Sequence, residues 1–200
     1  MDVRRLADGL WRWTASHPNA ANWPDWGPLV PPEVGCVYYE APDAVVLLDP
    51  LLPAGEEEAF LAYLDRDVER LGLPVSILLT AAWHERSAAI LRERYGADDR
   101  VPENVEVYPV EGAPEEQLAY FIGPHSALVV AEIFVGDGRG GLAVVPSPAL
   151  EDRAALERSL RKIAELPVEL VLVSHGEPVH TRADFEAALD RDPWAEVEGG

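Results

Sequence analysis

The chain has 200 residues, 48% of them hydrophobic and 26% charged, and these fractions exclude an intrinsically disordered chain. The length suits one domain with a sizeable core, so we predict a single domain over residues 1–200. Acidic residues outnumber basic ones by 36 to 16, and the formal net charge of −20 repels phosphate backbones and anionic membranes. Nucleic acid and membrane surfaces are therefore not expected as partners.

The first half of the sequence alternates apolar runs with helical patterns. We predict strands at residues 10–14, 35–40, 44–49 and 75–80, and helices at residues 56–71 and 85–95. Ala41-Pro42-Asp43 separates two of these strands and has the composition of a hairpin turn. Residues 15–32 are rich in Pro, Asn and Trp, and we expect them to form a long loop.

The second half continues the alternation. We predict strands at residues 105–108, 117–122, 127–135, 142–145 and 170–173, and helices at residues 150–166 and 181–189. Thr181 is a predicted N-cap, with Asp184 three residues later. This order of strands and helices indicates an α/β protein whose sheets carry helices on their outer faces.

Two of the predicted strands end in polar segments. Thr80 ends an apolar strand, and a polar loop leads from it into the helix predicted at residues 85–95. The strand at residues 170–173 is followed by Ser174-His175-Gly176. Because side chains at the carboxyl ends of strands in α/β proteins often face the ligand crevice, these segments are the candidates for a functional site.

These segments resemble the metallo-β-lactamase superfamily. In that family a strand ending in Thr runs into an H-x-H-x-D-H loop that opens a helix, and a late buried strand ends in a His-Gly pair. Residues 38–50 resemble the family's early hairpin, which ends in an Asp-containing turn, here at Asp49. The resemblance covers residues from about 10 to 180 and implies a four-layer αββα sandwich.

The sequence departs from the family at most of the positions that bind metal. With Thr80 as anchor, the H-x-H-x-D-H positions fall on Ala81, Trp83, Glu85 and Arg86. The family's middle histidine falls on Ala113, and its bridging aspartate falls on Glu132. Among these positions His175 alone is unchanged.

The chemistry of metal ligands predicts which of these positions could still bind a metal. The first metal position of the family is built from three histidines, and the corresponding residues have no suitable donor: Ala81, Trp83 and Ala113. The second position would be drawn from Glu85, Glu132 and His175, which could hold one divalent metal such as zinc. Arg86 cannot be a ligand, but it could lie between the two glutamates and supply the positive charge of a metal. We expect no metal cofactor, with one divalent metal as the alternative.

Aromatic residues and one histidine surround these positions. His84 is one residue out of register with the family's ligands, and it is either a substitute ligand or proton carrier, or a surface histidine at a helix start. Trp83 is expected to fill the old cavity with its ring. Four tryptophans of residues 11–26 either line a ligand pocket or cap the sandwich edge: Trp11, Trp13, Trp23 and Trp26.

Two functions remain open. The first is a non-catalytic binding or interaction module, for an unknown small molecule or for a second copy of the chain. The second is a hydrolase of ester or thioester-type substrates, with one metal held by Glu85, Glu132 and His175. Cys36 is the single cysteine, which excludes an intrachain disulfide. The first residues show no apolar region typical of a secretion signal, and we expect a cytoplasmic protein.

Overall fold

The structure, a computed structural model, describes residues 2–22, 31–136, 141–144 and 152–191. Within these residues the chain forms strands and helices in two compact units. The first unit comprises the described residues of Met1–Asp25, Pro32–Leu79 and Trp83–Val105. The second comprises those of Trp26–Pro31, Thr80–Ala82 and Glu106–Gly200. Each unit has a hydrophobic core of its own.

The first unit is built on a five-stranded sheet with strands in chain order. Its strands are β1 (Asp2–Ala7), β2 (Leu10–Ser16), β3 (Glu33–Glu40), β4 (Val45–Leu48) and β5 (Val75–Leu78). Neighbours from β1 to β4 are antiparallel, whereas β4 and β5 are parallel and are joined through helix α1 (Glu57–Leu71). A short 3₁₀ turn (Ala82–Glu85) and helix α2 (Ala88–Tyr95) follow β5.

The second unit contains a four-stranded and a two-stranded sheet. The strands are β6 (Val105–Pro109), β7 (Leu118–Ile122), β8 (Ala127–Val130), β9 (Phe134–Gly136), β10 (Leu142–Val144) and β11 (Leu170–Val173). The larger sheet has the order β11-β8-β7-β6, with β11 parallel to β8, and β9 pairs with β10. Helices α3 (Arg153–Ala164) and α4 (Arg182–Asp190) complete the unit.

Most predicted elements are confirmed, and the hairpin of β3 and β4 has the expected antiparallel pairing. One strand was missed: β1 is polar and lies at the sheet edge, so its sequence lacks a buried face. The single strand predicted at residues 127–135 is wrong, because a turn at residues 131–133 separates β8 from β9. Parts of three predictions lie outside the described residues: 23–30 of the loop, 145 of a strand and 150–151 of a helix.

The second predicted helix begins later than expected. A 3₁₀ turn comes first, and Arg86 has a positive φ of 37°, which no continuous α-helix accommodates. Helix α2 therefore starts at Ala88. In the described part of the chain, no helix is both long and apolar enough to cross a membrane.

Side chains cap both helices of the second unit. Asp152 accepts a hydrogen bond from the Ala155 backbone N–H at 3.0 Å, at the start of α3. Thr181 Oγ1 accepts one from the Asp184 N–H at 3.1 Å at the start of α4, as the sequence predicts. The Thr181 hydroxyl also donates to the Asp184 carboxylate. Each cap satisfies a backbone donor that the first turn leaves without a helical partner.

Removal of the Thr181 cap is expected to destabilise the protein. We expect Thr181→Ala to lower the free energy of unfolding by about 1 kcal/mol, because it leaves a first-turn N–H without its acceptor. Thr181→Ser keeps the hydroxyl and serves as the control, with most of the stability retained. Urea unfolding of both variants measures the difference, and an equal loss in the two would refute the capping role.

Candidate functional site

The turn after β4 in the first unit is held by a buried contact between an aspartate and a histidine. Asp49 has a positive φ of 50°, and its N–H donates to the Leu78 carbonyl at 3.0 Å. The Asp49 side chain points to His84, with Oδ2 lying 3.1 Å from Nδ1. Both side chains are withdrawn from water, and His84 is only 1% exposed. A buried carboxylate requires such a partner, so His84 fixes the chain at the ends of β4 and β5.

His84 is thus a buried residue, and the alternative of a surface histidine at the helix start is wrong. Its neighbour Arg86 also reaches the same turn, where Nη1 donates to the Asp49 carbonyl at 3.3 Å. Ser87 completes the link, because its N–H donates to the Pro50 carbonyl at 3.1 Å and its Oγ accepts from the Leu52 N–H at 2.9 Å. The loop before α2 is therefore tied to the Asp49 turn by side chains and backbone together.

The same region encloses the only cysteine. Cys36 is fully buried on β3, and burial raises the pKa of its thiol to about 12, partly offset by the nearby charge of Arg86. At neutral pH the thiol is therefore protonated. A protonated, inaccessible thiol is neither a nucleophile nor a metal ligand, so Cys36 belongs to the core.

Glu85 is neutralised by an arginine that the sequence analysis did not single out. Nη1 of Arg92 donates to both carboxylate oxygens of Glu85, at 2.7 and 2.9 Å. The two residues are seven positions apart, but Glu85 precedes the start of α2 at Ala88, so helical spacing alone does not predict the pair. Trp83 is 41% exposed, with its ring 5.8 Å edge-on from that of His84, so it does not fill a closed cavity as expected.

The second unit joins two of the predicted residues. His175 follows β11, and its Nδ1 donates to the Pro31 carbonyl at 2.7 Å. Because a carbonyl only accepts, the proton on Nδ1 is fixed and the other nitrogen, Nε2, faces Glu132. Nε2 lies 3.6 Å from Oε1 of Glu132, which sits in the turn between β8 and β9. The imidazole and the carboxylate form a partly buried pair.

Two of the positions that the resemblance matched to the family's histidines are buried in this unit. Ala81 and Ala113 are each 2% exposed. Beside them lies Gln117, a residue that the sequence analysis did not consider. Gln117 forms a β-bridge with Ala81, and its Nε2 donates to the Pro114 carbonyl at 3.3 Å. Its Oε1 is buried and has no hydrogen-bond donor among the described residues.

The donor set at these positions does not suit the two-metal centre of the resembling family. Ala81, Ala113 and Trp83 have no atom that binds zinc, and a zinc site needs three or four nitrogen, sulfur or oxygen donors. Across residues 2–22, 31–136, 141–144 and 152–191, no three or more His, Cys, Asp or Glu side chains are grouped so as to hold a metal. Glu85 belongs to the first unit, whereas Glu132 and His175 belong to the second.

Comparison with known proteins gives the fold. No family model matches the sequence, and no curated protein matches it. The structure is similar to that of VMB-1, with a TM-score of 0.68, 12% identity, and coverage of 100% of this chain and 98% of the other. A metallo-β-lactamase from Erythrobacter litoralis, solved with β-mercaptoethanol in its active site, has a TM-score of 0.65 and 17% identity, covering 94% of each chain.

A further similar structure is FIM-1 from Pseudomonas aeruginosa, a metallo-β-lactamase solved in a mono-zinc form. Its TM-score is 0.57 at 13% identity, with 98% of this chain and 95% of the other covered. These similarities extend over nearly the whole chain. They confirm the predicted α/β class and show that the chain has the metallo-β-lactamase fold.

Loss of the buried pair in the first unit is expected to be costly. We expect His84→Ala to lower the free energy of unfolding by about 3 kcal/mol, because it removes a packed ring and the partner of a buried carboxylate. His180→Ala, at an exposed histidine, is the control and should change stability by less than about 0.5 kcal/mol. Chemical denaturation of both variants gives the comparison, and similar small losses would show that the pair contributes little.

Proposed function

We propose that this chain is a metal-independent binding module on the metallo-β-lactamase fold, and not a dinuclear zinc hydrolase. The observation that carries the proposal is the donor set. The positions of the first metal hold Ala81, Trp83 and Ala113, and none of these side chains can bind zinc. A hydrolase of the dinuclear type requires both metal positions, so its chemistry has no support in these residues.

The charges of the remaining polar residues support the same proposal. Glu85 is paired with Arg92 at 2.7 Å. Glu132 faces His175 at 3.6 Å. Carboxylates that would otherwise need a metal cation thus have side-chain cations or an imidazole beside them. The pairing of Glu85 with Arg92 removes the electrostatic reason for a metal to bind at that carboxylate.

The second unit offers a polar group for a ligand. Oε1 of Gln117 is a buried acceptor without a donor among the described residues, and an unsatisfied buried acceptor costs free energy. A ligand N–H or O–H group would reach it only if the surrounding side chains moved, because the atom is closed off from solvent. The net charge of −20 argues against nucleic acid and anionic membranes as partners. A second copy of the chain is the other candidate partner.

A hydrolase with one metal is the second candidate, and the orientation of His175 favours it. Nδ1 is fixed by the Pro31 carbonyl at 2.7 Å, which is how metal-binding histidines are commonly oriented, and Nε2 is left facing Glu132. These two residues would hold a divalent ion, which would supply Lewis-acid chemistry for ester or thioester hydrolysis. FIM-1 has been solved in a mono-zinc form. The third expected ligand, Glu85, would first have to leave Arg92.

Elemental analysis distinguishes the two candidates. We expect the purified protein to contain far less than one zinc or manganese ion per chain, before and after incubation with either metal, because only two donors are paired in the second unit. The double variant Glu132→Gln, His175→Ala should not change that content. The matched control is Glu106→Gln, His180→Ala, which makes the same chemical changes elsewhere.

The opposite result is equally clear. Close to one ion per chain in the wild type and in the control, lost in the Glu132→Gln, His175→Ala variant, would contradict the metal-independent proposal and support the mononuclear hydrolase. A hydrolytic activity that follows the metal content would identify that enzyme.

A further inference from the structure

A groove lies between helices α3 and α4 of the second unit. Its volume is about 670 Å³. Cavities that bind small molecules in proteins usually measure about 300–1,000 Å³, so the groove has the size for a ligand. All of its lining residues belong to the second unit and are distinct from Glu132, His175 and Gln117.

The two helices present the same pattern of side chains to the groove. On α3, Arg153 is followed by Glu157 four residues later and by Leu160 three residues after that. On α4, Arg182, Glu186 and Leu189 repeat this spacing. Positions i, i+4 and i+7 share one face of an α-helix, so each helix contributes one charged and one apolar section to the same groove.

The apolar section forms one side of the groove. Leu160 of α3 and Val144 of β10 are largely buried, and Leu189 of α4 is half-buried beside them. Ala164 extends this surface at the end of α3. A hydrocarbon chain placed there would cover mainly the exposed part of Leu189, because Leu160 and Val144 are each only 8% exposed.

One arginine of the groove is fixed in place by the protein itself. Arg182 donates to Glu186 at 2.7 Å, to the Ala164 carbonyl at 2.7 Å and to the Leu166 carbonyl. These acceptors are the carbonyl of the last residue of α3, the carbonyl of Leu166 just after that helix, and the side chain one turn along α4. The Arg182 guanidinium therefore belongs to the wall of the groove and holds α3 and α4 together there.

Two other arginines keep their hydrogen-bonding capacity. Arg161 is 78% exposed and forms an ion pair with Glu157 at 3.6 Å, a distance too long for a hydrogen bond, so its N–H groups can still donate to a ligand. Among the described residues, Arg191 has no hydrogen bond or ion pair. The groove has four arginines against three acidic residues, in a chain whose net charge is −20. It is thus a local site of positive charge beside an apolar surface.

We propose that this groove binds an organic anion made of a carboxylate and a medium-length apolar chain. Arg161 and Arg191 would hold the carboxylate, since a guanidinium matches its geometry with two parallel hydrogen bonds. The chain would lie on Leu160, Val144 and Leu189. The acidic remainder of the protein surface repels such an anion, which confines its binding to this groove.

Calorimetric titration of the full chain with sodium octanoate tests the proposal. We expect saturable binding of one octanoate per chain. Sodium acetate has the charge without the chain, and 1-octanol has the chain without the charge. Each should bind at least about tenfold more weakly, because each loses one of the two contributions.

Variants locate the binding in the groove. Arg161→Gln combined with Arg191→Gln should weaken octanoate binding by about tenfold or more, because the charged hydrogen bonds are lost. The matched control is Arg158→Gln combined with Arg66→Gln, two exposed arginines outside the groove, one of them on α3. This control makes the same change in net charge and should leave the affinity unaltered.

Three outcomes would overturn the proposal. They are the absence of octanoate binding, equal binding of 1-octanol, and equal weakening by the groove variant and its control. If sizing shows a dimer that the Arg161→Gln, Arg191→Gln variant disrupts, while octanoate does not bind, the groove is an interface between copies of the chain. That result would also refute the ligand site.

Discussion

A carboxylate that is taken out of water must be paired, and this requirement shapes the first unit around Asp49. The residue follows β4 and has a positive φ. Its Oδ2 lies 3.1 Å from Nδ1 of the buried His84 ring. Arg86 adds a hydrogen bond to the Asp49 carbonyl. The positive-φ conformation at Asp49 and Arg86 costs free energy, which these contacts offset. The loop between β5 and α2 is therefore held by protein groups alone.

The other acidic residues of the candidate site also have side-chain partners. Glu85 accepts two hydrogen bonds from Arg92, and Glu132 faces His175. Each pair lies within one unit, and the Arg92 guanidinium balances the charge of Glu85. The fold is shared with metallo-β-lactamases, and the positions that the resemblance matched to the family's histidines hold alanine and tryptophan. The fold does not specify the function, since function depends on the residues at the site.

The sequence was sufficient for the fold and for part of the site. Hydrophobic periodicity located the β3–β4 hairpin and the helices, and the His-Gly pair after β11 located His175. The burial of His84 and its pairing with Asp49 could not be predicted, because they depend on a contact across 35 residues of sequence. The same limit applies to Gln117, because its place beside Ala81 depends on a β-bridge between residues that are distant in the sequence.

The prediction for Arg86 shows a different limit. The sequence analysis placed Arg86 between Glu85 and Glu132, because Arg86 falls on a histidine position of the resembling family, whereas in the structure Arg92 donates to Glu85. The positive φ of Arg86 directs its chain to the Asp49 turn, while Arg92 reaches Glu85 from the second turn of the helical segment. The backbone conformation thus determines which arginine pairs with Glu85, and the sequence composition alone does not reveal that arginine.

Anomalous diffraction at the zinc absorption edge, from crystals grown with zinc, tests the metal-independent account most directly. The account predicts no anomalous peak between Nε2 of His175 and the Glu132 carboxylate, and Arg92 still bonded to Glu85. A peak about 2.0–2.2 Å from both His175 and Glu132, with a third protein ligand, would contradict it.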